Sequence, residues 1–189
     1  NNLTMQQFIF GNQFTFLFLI IAELVLVFVL VRKIRTMSVS TAGICFVVYA
    51  ILNGVTLSSV LLVYTTSSIV QIFLITALMF GAMSVYGMFT KTDLTSAGRY
   101  LMMGVIGLVI ASVINIIFRS SGLDWIISIA TVVIFTGLTA YDTQKLMKLS
   151  VHADESENFR KVAIIGALEL YLDFINIFLG LLRLFGNRR

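Results

Sequence analysis

Along this chain long apolar runs alternate with short polar connections. Six runs stand out, at roughly residues 12–31, 41–63, 69–90, 100–118, 124–146 and 162–185. Each reaches about the 18–20 residues that a helix needs to cross roughly 30 Å of hydrocarbon. The pattern therefore predicts an all-α polytopic membrane protein, six helices in one transmembrane domain over residues 1–189. The one sizeable hydrophilic insert, Ser150 to Glu157, holds His152, Asp154, Glu155 and Glu157 and reads as a connecting loop. The chain has no proline, so no helix gains a proline kink, and the broken helices of many transporters would have to rest on glycine alone. Small residues four apart, Ala77 with Gly81 and Gly107 with Ala111, permit close helix approach.

Composition agrees with the pattern. Of 189 residues 59% are hydrophobic and only 12% charged, with a mean hydropathy of +1.01, which excludes a disordered or ordinary soluble chain. The net charge of +4 forms no basic patch for nucleic acid; its cations fall instead at the ends of runs. Arg32, Lys33 and Arg35, then Lys91 and Arg99, then Lys145, Lys148, Arg160 and Lys161 lie on one side, and Arg119, Arg183, Arg188 and Arg189 on the other. The excess of basic residues marks the first side as cytoplasmic. Lone Cys45 reads as a small buried hydrophobe, and His152, in a solvated loop, as neither ligand nor switch. No phosphate-binding glycine motif, no Cys/His metal spacing and no soluble domain for an ATPase is present, so no cofactor is expected and primary pumping is excluded.

Four of the nine acids fall inside predicted spans: Glu23, Asp142, Glu169 and Asp173. Each costs about 2.5–3.5 kcal/mol at a helix centre, so each should face protein or water and mark function. Glu23 lies about 13 Å before Arg32 along a helix and needs an internal partner. Asp142 closes the fifth run and Asp173 lies within the sixth, and the two helices must be antiparallel. Residues on such a hairpin share a level when the turn lies midway between them, and the midpoint here is about residue 157. The two carboxylates should thus reach similar depth. Facing each other, they would hold one proton between them and titrate as a coupled, pH-sensitive unit; the alternative is two independent acids bonded to neighbouring Asn and Tyr. Glu169, Asp173 and Asn176 form a polar stripe on an otherwise apolar helix, which suits a central position for the last helix. Arg183, about 15 Å beyond Asp173, lies where Glu23 could pair with it, or else faces solvent.

The pieces Phe135 to Lys145 (FTGLTAYDTQK), Ala167 to Phe178 (ALELYLDFINIF) and Leu181 to Gly186 (LLRLFG) resemble the signature of the transmembrane Bax inhibitor-1 motif family, in a bacterial member; Asn53 to Ser58 (NGVTLS) is similar to its early glycine-rich segment. The resemblance implies a seven-helix fold, two groups of three around a central C-terminal helix. The first family helix would then be absent from this chain, in keeping with a start at Asn1 rather than Met. It also implies a calcium leak pathway whose closure depends on an aspartate pair, matched here by Asp142 and Asp173, which would touch calcium transiently. Arg183 and Glu23 match a further charge pair, and a basic latch after Glu23 falls on Arg32, Lys33 or Arg35. Glu169 departs from the family pattern as a third acid near the pair, and the loop between the aspartates is longer than in compact members.

The leading expectation is a passive, pH-sensitive calcium leak channel of a bacterial inner membrane, not an enzyme, with calcium and protons as its ligands and the bilayer as its surroundings. Carboxylate oxygens suit calcium, and a shared proton competes with it. A non-conducting regulator of other membrane proteins, such as a quality-control protease, is the alternative. Proton-coupled transport and aspartyl intramembrane proteolysis are weaker, the latter because the chain lacks that class's Gly-x-Gly-Asp and proline-containing segments.

Overall fold

The computed structural model of the chain describes residues 25–27, 29, 32–33, 36–150 and 157–189. Five helices follow one another: α1 Val39–Val63, α2 Thr66–Phe89, α3 Thr95–Phe118, α4 Ser121–Ser150 and α5 Glu157–Phe185. Residues 25–27, 29, 32 and 33 are also helical. Each of the five contains a stretch long and apolar enough to cross a membrane, and their ends differ from the expected runs by at most five residues. Nearly all of the expected run 12–31, and most of the 150–157 connection with His152, Asp154 and Glu155, lies outside the described residues. The helices outlast the apolar runs because backbone hydrogen bonding continues into polar ends such as Thr95 to Arg99 and Lys145 to Ser150. Among the described residues the only strand-like pairing is one antiparallel bridge, Tyr64 with Arg188.

The chain forms two compact units, residues 1–63 with 154–165 and residues 64–153 with 166–189. In the first, the Lys33 carbonyl accepts from the Thr36 and Met37 amides at 2.9 and 3.0 Å, a tight turn that ends the preceding helical residues. Ser38 then caps α1: its hydroxyl oxygen accepts from the Thr41 amide at 3.1 Å. Along α1, Ala42 and Tyr49 are buried, whereas Ile44, Val47 and Ile51 are exposed, as a lipid-facing surface requires.

In the second unit α4 packs against both α2 and α3, and glycines set how closely. At Gly87 of α2 an added Cβ would strike the Ala140 carbonyl. At Gly98 of α3 it would come within 2.5 Å of the Tyr141 ring. By contrast, among the described residues nothing lies within 4 Å of a Cβ at Gly81 or Gly107, so the expected small-residue pairs meet no described neighbour. Four-residue spacing picks out a helix face but not what stands opposite it. Edge-to-face rings join α2 to α5, with Phe174 centred 5.5 Å from both Phe73 and Phe80.

Within the second unit the last helix and α4 are both enclosed. Between Gly166 and Leu182 only Ala167 is exposed, but between Ile127 and Leu146 of α4 only Val133 is. The interior is shared because α4 meets three neighbours, whereas the polar stripe that singled out α5 reports one face only.

Connections in this unit are stitched by side chains. Gln144, buried near the end of α4, accepts from the Leu94 amide at 2.9 Å and donates to the Thr92 carbonyl at 2.8 Å, tying down the α2–α3 loop. Lys148 adds an ion pair to Asp93 at 2.7 Å. That ammonium, with the Thr95 hydroxyl and amide, holds the exposed Asp93 carboxyl down to about 2.

Candidate functional site

Antiparallel packing of α4 on α5 brings the informative residues together. Gly180 lies over Val132 and Gly166 over Leu146, and between these contacts Lys145 meets Glu169 and Asp142 meets Asp173. All four pairings are centred between residues 156 and 158, matching the register expected of a hairpin turning near 157. Asp142 and Asp173 are only 7% and 3% exposed and lie close to each other. A hydrogen bond between two such groups forms only when one of them carries a proton, since a carboxylate only accepts.

Helix periodicity supplies the rest of the site. Thr136, Thr139 and Thr143 recur at three- and four-residue intervals beside Asp142, so α4 presents a hydroxyl-bearing face toward Asp173. The Thr139 hydroxyl donates back to the Phe135 carbonyl at 2.8 Å. Thr136 Oγ1, Thr143 Oγ1, Asp173 Oδ2 and, on α2, Ser84 Oγ are buried with no hydrogen-bond partner among the described residues. Unsatisfied buried polar atoms are uncommon; one of these belongs to the aspartate pair and two lie on the threonine face of α4, which makes the patch suited to hydrated or ionic occupants. Among the described residues no three His, Cys, Asp or Glu side chains converge in a group that could hold a metal ion.

One turn toward the 150–157 connection, the Lys145 ammonium donates to both Glu169 oxygens at 2.8 Å. Glu169 is therefore not a bare third acid beside the pair. Lys145, which in the sequence marks topology, mirrors Glu169 about residue 157, and that spacing is the signal that it reaches the site. Asn176, the third member of the stripe, donates to its own helix at the Leu172 carbonyl, 2.8 Å away.

The supporting charges lie apart from this patch. Arg183 is exposed in the last turn of α5 and makes no salt bridge among the described residues. Arg32 and Lys33 are exposed in the first unit, while Glu23 and Arg35 fall outside the described residues, so the expected Glu23–Arg183 pair and the latch are not described.

Asp142 and Asp173, the aspartates that the resemblance singles out, lie buried on the last two of a series of membrane-length helices. Residues 2–189 match the family model described as inhibitor of apoptosis-promoting Bax1. The chain belongs to this Bax inhibitor-1 family. Inner membrane protein YbhL of Escherichia coli K12 is 48% identical over 191 residues, covering all of this chain and 82% of that protein. An uncharacterized protein of Borreliella burgdorferi is 49% identical, again across the whole chain and 82% of its own length. One from Deinococcus radiodurans is 45% identical over 90% of this chain and 74% of its length. Membership in the Bax inhibitor-1 family, five apolar helices and the inner-membrane description of YbhL agree on an integral protein of a bacterial inner membrane.

Proposed function

We propose that this Bax inhibitor-1 family protein is a passive calcium leak channel that closes when Asp142 and Asp173 share a proton. The observation that carries the reading is the buried pair itself, with Asp173 Oδ2 and two threonine hydroxyls of α4 left unpartnered among the described residues. While the proton is shared, a hydrogen bond ties α4 to α5. Once it leaves, two like charges face each other in a medium of low dielectric, where repulsion is far stronger than in water. They separate, and their oxygens become ligands for a hard divalent cation. Permeation therefore increases with pH. Calcium is cargo here, no bond in a substrate is made or broken, and no cofactor is required.

Calcium influx into liposomes containing the purified protein, at clamped membrane potential from about pH 5 to 8, tests this directly. The expected flux rises with pH, and Asp142→Asn and Asp173→Asn each flatten the profile in folded protein, because Asn keeps volume and hydrogen bonding but exchanges no proton. Variants that retain the wild-type profile would refute gating by the pair. A wild type that carries no calcium would remove the channel and leave the regulator of other membrane proteins.

A further inference from the structure

At the end of the second unit where α3 stops and α4 begins, three arginines line an open cleft of about 580 Å³. Arg119 comes from the α3–α4 turn, Arg183 from the last turn of α5 and Arg188 from the C-terminal tail. Asp124 is the only acid among the lining residues, and none of the three arginines forms a salt bridge among the described residues. Three guanidinium groups gathered without matching carboxylates repel one another and attract an anion.

Two of these arginines are held by their backbones. Arg119 is the one non-glycine residue with positive φ among the described residues, at 49°. Its amide donates to the Asn115 carbonyl at 2.7 Å, while the next amide, of Ser120, donates to the Asn115 side chain at 3.0 Å. Arg188 is fixed by its bridge to Tyr64. On one side of it the Thr65 amide donates to the Asn187 carbonyl at 2.9 Å, and on the other Arg189 donates to the Thr66 hydroxyl at 3.2 Å. The start of α4, whose amides and dipole favour negative charge, opens into the same cleft through Ser120 and Ser121.

A second cavity, of about 290 Å³, adjoins this cleft and shares Ser112, Ile116, Ile127 and Arg183 with it. It runs back along α3 from Ile116 to Val105, about 16 Å at 1.5 Å per residue. Its walls include Val105, Val109, Phe135 and Leu179. A soluble anion would have no use for that apolar groove. An arginine cleft at the end of a membrane-length helix lies at the level of lipid headgroups.

We propose that cleft and groove together bind one anionic phospholipid, its phosphate forked by Arg119, Arg183 and Arg188 and one acyl chain laid along the groove. This goes beyond the aspartate gate, and the variants that test it, at Arg119 and Arg188, play no part in that gate.

Native mass spectrometry of the purified chain, given phosphatidylglycerol and phosphatidylcholine in equal amounts, reads the preference. Retention of phosphatidylglycerol over phosphatidylcholine is expected, and Arg119→Gly and Arg188→Gln should each cut it roughly five- to tenfold. Glycine suits the left-handed backbone at 119, so that variant loses the charge without straining the turn. Arg99→Gln, at the opposite end of α3, should leave the preference intact. Equal retention of the two lipids, or equal loss in Arg99→Gln, would overturn the proposal. Displacement of the lipid by millimolar inorganic phosphate would overturn it in favour of a soluble anion.

Discussion

Gly87→Ala and Gly81→Ala make the same chemical change six residues apart on α2, yet the structure gives them opposite signs. Alanine raises helix propensity by up to about 1 kcal/mol at either position. At Gly81 nothing described lies within 4 Å of the new methyl, so this gain stands. At Gly87 the methyl would drive into the Ala140 carbonyl and stand 3.0 Å from that residue's carbonyl carbon and Cα. These are backbone atoms that no rotamer change can move, so the helices must separate, and overpacking of this kind costs about 1–3 kcal/mol. Because the propensity gain is common to both variants, their difference isolates that cost. Denaturant unfolding of the purified variants in one detergent, followed by helical circular dichroism, measures it. Gly87→Ala should unfold first by this margin and Gly81→Ala should equal or exceed the wild type. Equal midpoints, or the reverse order, would refute the α2–α4 contact that braces the helix carrying Asp142.

Gln144→Ala removes both side-chain bonds to the 90–94 loop, a loss of about 2 kcal/mol at roughly 1 kcal/mol each; hydrogen exchange at the Leu94 amide should accelerate, and an unchanged rate would show that the loop holds itself. Asp93 titrates below its ordinary 3.8, at about 2, chiefly through the hydrogen bond from Lys148. A depressed carboxyl contributes stability that is present above its ordinary value and lost as pH falls through the lowered one. Lys148→Gln should therefore move the Asp93 carboxyl resonance, followed by NMR, back toward 3.8, and a titration left near 2 would assign the effect to Thr95 alone.

The sequence alone was enough for every described helix, because crossing hydrocarbon demands an unbroken apolar length that composition makes visible. It also put Asp142 and Asp173 at similar depth, since a hairpin with known turn position relates levels on its two arms by simple geometry. The same rule would have paired Lys145 with Glu169, had the cation been weighed as a neighbour rather than a topology marker. What the chain could not disclose was the azimuth of each helix. Gly81 and Gly87 are equally small, and only the placement of α4 against Gly87 tells the two apart among the described residues.

Tertiary structure alone decided the remaining features, for one physical reason. The Gln144 stitch spans 50 residues, and the arginine cleft draws on three separated segments. Both depend on how helices rotate and on where the tail docks. In an almost uniformly apolar chain, no periodicity of hydrophobic residues encodes those rotations, because lipid-facing and buried sides are equally greasy. Length and charge placement are therefore written in the sequence, whereas the facing of side chains emerges only when the helices pack.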